Sequence, residues 1–203
     1  MRYTVLPMIG LLAGMCPTWV MAQERPAMAP TRDVQVTYRA TAPATAAGGK
    51  AQQQNIKFAT VAGGNLMRIE SMDASHGGTF VLVDRATKRM TMVMPQDRRY
   101  MEMPANDAMA RGFVLNEGMR FAKKGAAMVV GLKCTLWDIT STDGAGSACI
   151  TDDGVMLRGQ GRDGQGAIEA TAVKYGPQPL SLFKPPADYA RLELPAGARP
   201  PSR

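Results

Sequence analysis

The sequence predicts a mainly β domain with short helices, its strands forming an antiparallel sheet that is open or partly closed. Three observations carry this. Val34, Val36, Tyr38 and Ala40 alternate with Asp33, Gln35, Thr37 and Arg39, which puts an apolar face against a wet one. Gly63-Gly64, followed by Asn65, separates two alternating runs, the mark of a tight hairpin turn. Polar, glycine-bearing connections then cut the rest of the chain into short strands at regular spacing, as in antiparallel β domains. There is no internal repeat and no heptad pattern.

The chain opens with Arg2 and a charge-free, mainly apolar stretch from Tyr3 to Ala22, interrupted by Pro7 and Pro17. Val20-Met21-Ala22 places small or short side chains ahead of the polar Gln23, Glu24 and Arg25. That order predicts a signal peptide, residues 1–22, cleaved after Ala22, and a periplasmic mature protein. Two prolines and a short apolar core argue against a spanning anchor, and no later stretch of the mature chain is suited to one. Cys16 as a lipidation site is disfavoured by the bulky Met15 before it. Removing the leader leaves 203 − 22 = 181 residues. Pro26 and Pro30 in front, and Pro195, Pro200 and Pro201 behind, divide these into a flexible tail (23–32), one domain (33–194) and a second flexible tail (195–203).

Within the domain the first strand is followed by a flexible stretch from Pro43 to Gln53. A second strand through Ile56 and Phe58 turns back as 66–71, which ends at the loop His76-Gly77-Gly78. Strands at 79–83 and 90–94 flank a turn from Asp84 to Lys88, and 99–103 resumes after Pro95-Gln96-Asp97. Between Pro104 and Leu115 a short helix is expected, capped by Asn106 or Asp107. Extended segments follow at 128–130, 132–139, 148–151, 155–158 and 168–175, separated by polar connections at 143–146 and 159–166.

The net charge of +7 becomes 23 − 17 = +6 once Arg2 is removed. It is spread along the chain, densest at Arg85, Lys88 and Arg89, at Arg98 and Arg99, and at Lys123 and Lys124. A basic surface attracts nucleic acid or anionic lipid and lipopolysaccharide, and an exported protein meets the second pair more often. No nucleic-acid partner is expected, and a charge that only aids solubility explains the balance as well. With Cys16 in the leader, Cys134 and Cys149 remain, an even pair that in an oxidising compartment predicts a disulfide. One histidine, His76, and no ligand spacing argue against zinc.

No catalytic constellation emerges. His76 has only its chain neighbour Ser75 as a nearby hydroxyl, a poor nucleophile and base pair. Asp152-Asp153-Gly154 and Asp163-Gly164 lack the ligand alternation of a calcium loop and read as turns. No Gly-rich stretch ends as a phosphate loop does. The reading is a non-enzyme without cofactor or metal. Methionine stands out: Met90, Met92 and Met94 alternate on one strand, Met101 and Met103 on the next. Thioethers suit Cu(I), but methionine also fills apolar grooves, and an apolar lining is preferred. The expected arrangement sets Met90, Met92 and Met94 beside Phe80 and Leu82, with Val81, Val83 and Val93 on the opposite face. Phe80, Leu82, Met90, Met92, Met94, Tyr100, Met101 and Met103 are the candidate ligand-lining residues.

The run Phe80-Val81-Leu82-Val83-Asp84-Arg85-Ala86-Thr87-Lys88-Arg89-Met90-Thr91-Met92-Val93-Met94, with Arg99-Tyr100-Met101-Glu102-Met103 behind it, resembles the central hairpin of LolA-like periplasmic proteins. Ser181-Leu182-Phe183-Lys184-Pro185-Pro186-Ala187-Asp188-Tyr189 is similar to the closing segment of such domains, and Gly131-Leu132-Lys133-Cys134-Thr135 to the start of a middle strand in uncharacterised members. In order of elements the resemblance covers most of 34–193. It implies an incomplete antiparallel barrel curled around a helix, with a hydrophobic cavity that in the characterised carriers holds lipoprotein acyl chains. No lid-locking arginine of those carriers can be placed here by motif. The expectation is a binding module for a lipid, an acyl chain or a peptide, its partner a lipid, a lipoprotein acyl chain or an envelope protein. An interaction or stress-sensing scaffold is the alternative.

Overall fold

The alternating segment at the start of the domain forms the central strand of a wide sheet. The computed structural model describes residues 24–41, 53–73, 77–105, 115, 117–142, 144–162 and 166–193. Its strands are β1 (Val34–Thr41), β2 (Gln53–Thr60), β3 (Leu66–Ser71), β4 (Phe80–Asp84), β5 (Arg89–Met94) and β6 (Arg99–Pro104) in the first half. β7 (Arg120–Val129), β8 (Leu132–Ser141), β9 (Gly144–Ile150), β10 (Met156–Gly161), β11 (Ala167–Tyr175) and β12 (Ala190–Leu192) follow. They pair in the order β12-β6-β5-β4-β3-β2-β1-β11-β10-β9-β8-β7. Every pair is antiparallel except β12, which lies parallel to β6. The two end strands do not pair with each other, so the sheet is open.

Helical structure among the described residues is confined to short 3-10 turns, Ala62–Gly64 and Leu180–Phe183 among them. The sheet curled around a helix that the resemblance implied is therefore not part of the described structure. The helix expected after Pro104 falls on residues 106–114, outside the described residues, as does His76. β7 begins at Arg120, well before the expected start at Met128. It is an edge strand, and its exposed Lys123-Lys124-Gly125 with a register shift between Lys123 and Gly125 erases the alternation that marks half-buried strands. Charges and bulges of this kind blunt a free edge.

Directly opposed residues of antiparallel strands share a face, and β1 to β6 pair without a register shift. One cross-strand row runs Val36, Phe58, Ile69, Val81, Met92, Met101. A second runs Val34, Thr60, Met67, Val83, Met90, Met103. This corrects the expected packing of the methionines. Asp84 opposes Arg89 across a four-residue turn that ends in the left-handed Lys88, φ 53°. That register puts even-numbered residues of β5 opposite odd-numbered ones of β4, so Met90 and Met92 stand beside Val83 and Val81. Phe80 and Leu82 share the other face with Val93.

Both faces of this hairpin are covered. Met67, Val83 and Met90 cluster with Phe58, Val81, Met103 and Ala105 on one side. Phe80, Leu82 and Val93 cluster with Tyr100 and Tyr189 on the other, under the C-terminal segment. There the Arg68 guanidinium stacks 3.4 Å from the Phe80 ring centroid and donates to the Leu182 carbonyl at 3.3 Å. Glu102 accepts from Arg89 and Arg191 at 3.0 Å each, and Arg98 pairs with Asp188, fixing β12 to the β6 edge. Several of the cations noted in the sequence are thus neutralised locally.

Cys134 of β8 and Cys149 of β9 form a disulfide with Cα atoms 5.3 Å apart. Both are buried in the main cluster with Val34, Val36, Val129, Val155 and Leu157. The segment 24–32, expected as a flexible tail, is instead held against the domain. Thr31 N–H donates to the Asp153 carbonyl (2.9 Å) and Gly63 N–H to the Pro30 carbonyl (2.7 Å). Pro26 is buried, so an apolar contact, added to the backbone bonds, outweighs the entropy of a loose end.

Candidate functional site

A cavity of about 540 Å³ lies on the sheet face that carries the two cross-strand rows. Tyr38, Ile56, Phe58, Thr60, Met67 and Ile69 of β1 to β3 make one wall, and Ile139, Ala148, Met156 and Ile168 of β8 to β11 make the other. Leu115 and Met119 close one side. The volume is within the range of small-molecule sites, roughly 300–1,000 Å³. Part of the floor is glycine because the strands approach too closely for side chains: a Cβ on Gly146 would sit 2.5 Å from the Gln160 carbonyl oxygen.

Met28, Ala29 and Pro30 run across this space as a strap. It is seated between two turns, each built on a glycine with positive φ. A Cβ on Gly154 (φ 87°) would come within 2.3 Å of the Ala29 carbonyl oxygen, and one on Gly64 (φ 66°) within 2.9 Å of the Ala29 Cβ. Beyond the strap, Arg32 donates to Asp153 at 3.0 Å and stacks 3.9 Å from the centre of the Tyr175 ring. Burial opposes ionisation of Asp153, but hydrogen bonds from Thr151, Arg32 and Tyr175 outweigh it and hold the carboxyl below its ordinary value. Asp33 is held low as well, by the backbone N–H groups of Gln178 and Ala62. These carboxylates pin the strap's end to the turns on either side.

The Tyr38 and Thr60 hydroxyls of the walls are already engaged. The Tyr38 hydroxyl donates to the Met156 carbonyl at 2.7 Å, and the Thr60 hydroxyl to the Leu66 carbonyl at 2.8 Å. Burial lifts the Tyr38 phenol far above its usual range, so it stays neutral and supplies no base. Among the described residues of the lining, Arg85, exposed at the rim, is the only charged one. Among the described residues no group of three or more His, Cys, Asp or Glu side chains converges as a metal site. The chemistry offered is mainly apolar contact.

None of the eight residues singled out in the sequence borders this cavity. Phe80, Leu82 and Tyr100 lie on the opposite face beneath the C-terminal segment. Met90, Met92, Met101 and Met103 share the cavity's face but stand beyond it, in the rows that continue from Met67 and Ile69; Met94 opposes Arg99 at the end of the hairpin. Sequence reasoning missed the lining residues Ile56, Phe58, Met67 and Ile69 as a site, although their alternation was visible. It gave no signal for the wall formed by β8 to β11, because that juxtaposition depends on the strand order.

An open, almost wholly antiparallel sheet with an apolar hollow on one face, crossed by the chain's own segment 28–30, defines a β-sheet protein with a ligand-sized cleft. The chain belongs to the family described as a domain of unknown function, DUF4412, whose pattern matches residues 45–158, more than half of its length. Among curated proteins none matches the sequence. Similar solved structures include the LolA superfamily protein NE2245 from Nitrosomonas europaea, at 11% identity and a TM-score of 0.43, covering 76% of this chain and 91% of that one. The Pseudomonas aeruginosa MucA/MucB complex contains a chain similar at 14% identity and a TM-score of 0.48, with 79% and 58% covered. PNGF-II is similar at 13% identity and a TM-score of 0.48, over 81% of this chain. This chain spans about a third of the length of PNGF-II (31%). At such identities the likeness concerns the fold alone. No helix among the described residues is long and apolar enough to cross a membrane.

Proposed function

We propose that this is an exported, periplasmic, non-catalytic binding module that holds one hydrophobic chain, an acyl chain or the tail of a lipid, beneath the Met28–Pro30 strap. The observation that carries the reading is a ligand-sized hollow with mainly apolar walls, in which the Tyr38 and Thr60 hydroxyls already have partners. Such a surface leaves water poorly bonded and favours an apolar occupant. In this reading the sheet acts as a half-barrel. The methionine rows, running outward through Met90, Met92, Met101 and Met103, extend the apolar track for a chain longer than the cavity. Methionine suits that role because its unbranched side chain adapts to different occupants.

The test is displacement of dansyl-undecanoic acid from the mature protein, compared with Ile69→Trp, in which the indole fills the cavity. Saturable one-to-one binding that the substitution reduces tenfold or more supports the proposal. Equal binding by a folded Ile69→Trp protein, or no binding by the wild type, contradicts it.

A further inference from the structure

The turn joining β7 to β8 is built from residues that suit neither its backbone nor its exposure. Val130 has φ 44° and Gly131 has φ 75°, two consecutive left-handed residues of the kind that a tight hairpin normally fills with Asn-Gly or Gly-Gly. For a β-branched side chain that region is an outlier, and strain retained at a surface site points to function. Val130 is 43% exposed and Met128 65% exposed, so the strained turn presents apolar side chains to solvent.

The charge nearest this tip is the cation Lys133. From Met119 to Trp137 the chain carries Arg120, Lys123, Lys124 and Lys133 and no carboxylate. Lys133 stands directly opposite Met128. Lys123 and Lys124 pair with Glu24 and Asp138, in bridges whose four side chains are all about half exposed. The mount is firm: Val129 is buried in the main cluster, and Cys134, four residues beyond Val130, is bridged to Cys149.

We propose that this hairpin tip docks the protein on an anionic membrane surface, Met128 and Val130 entering the acyl boundary while Lys133, directly opposite Met128, meets the phosphates. A narrow apolar tip with cations set behind it matches the layering of a bilayer interface, where apolar groups enter the acyl region and long cationic side chains reach back to the headgroups. The positive flank draws the tip to a negative leaflet.

The experiment is flotation of the mature protein with phosphatidylcholine vesicles, with and without phosphatidylglycerol, at low and high salt. The wild type floats with the anionic vesicles and is released by salt. Met128→Ser combined with Val130→Asn lowers binding about tenfold or more, since each inserted side chain contributes on that order. Val130→Asn alone weakens flotation yet raises the melting temperature, because asparagine tolerates the left-handed region; a folding defect cannot mimic that pair of changes. The proposal is overturned if the wild type does not float, if it floats equally well with neutral vesicles, or if the double variant floats as the wild type does.

Discussion

Replacing Gly154 by alanine separates the cost of a backbone conformation from the cost of losing the strap. At φ 87° an alanine pays about 1–2 kcal/mol for the left-handed region alone. Gly131→Ala is the matched control: its φ is 75°, and its new Cβ has nothing within 4 Å, so it carries the same penalty and no clash. At Gly154 the Cβ would lie 2.3 Å from the Ala29 oxygen and 2.8 Å from the Ala29 carbonyl carbon, both backbone atoms that cannot rotate away. The strap must move, and with it goes the Thr31 N–H bond to Asp153, a contribution of about 1 kcal/mol. Gly154→Ala should therefore destabilise the domain by roughly 1–3 kcal/mol more than Gly131→Ala. Urea unfolding of both variants gives the difference, and limited trypsin digestion reads the strap through new cleavage after Arg32. Equal stability losses with no new cleavage at Arg32 would refute the seating of the strap between the two turns.

Three further outcomes are expected. Reduction of Cys134–Cys149, which spans a sequence separation of 15, should cost about 3 kcal/mol, lowering the melting temperature while the cooperative transition survives. Because the buried Tyr38 phenol is raised above its ordinary value of 10.0, its contribution is intact below pH 10 and is lost as pH climbs above that value; Tyr38→Phe should flatten the alkaline fall in stability while costing about 1 kcal/mol at neutral pH. Asp153, held below its ordinary 3.8, contributes stability above that value that disappears as pH drops through the lowered range, so Asp153→Asn should shrink the loss of urea stability between neutral and acid pH.

The elements legible in the sequence were those whose two faces meet different surroundings. β1, β3 and β11 alternate because one side is core; the Gly63-Gly64 turn was marked by glycines that tolerate positive φ, and the turn after Asp84 by its polar run, led by a carboxylate that accepts from the Ala86 and Thr87 N–H groups. β7 was not legible along most of its length, since an edge strand with Lys123, Lys124 and Gly125 has no buried side to enforce a pattern. β12 escaped for a related reason: three residues parallel to β6 are held by Glu102 and Asp188 pairs rather than by an apolar stripe. The methionine spacing rightly placed Met90 and Met92 on one face. It did not give their neighbours, which the register set by the turn at Lys88 decides. The cavity walls come from strands more than 60 residues apart in the chain (Ile69 and Ile139), so no local pattern announces them.

Mass spectrometry of solvent extracts from protein isolated from its native cells decides whether the hollow beneath Met28–Pro30 carries a hydrophobic chain. An acyl-bearing molecule at up to one per protein is expected, absent from a folded Ile69→Trp variant purified in parallel. Protein that arrives with no acyl-bearing molecule, or with the same amount in the filled variant, would contradict acyl-chain binding there.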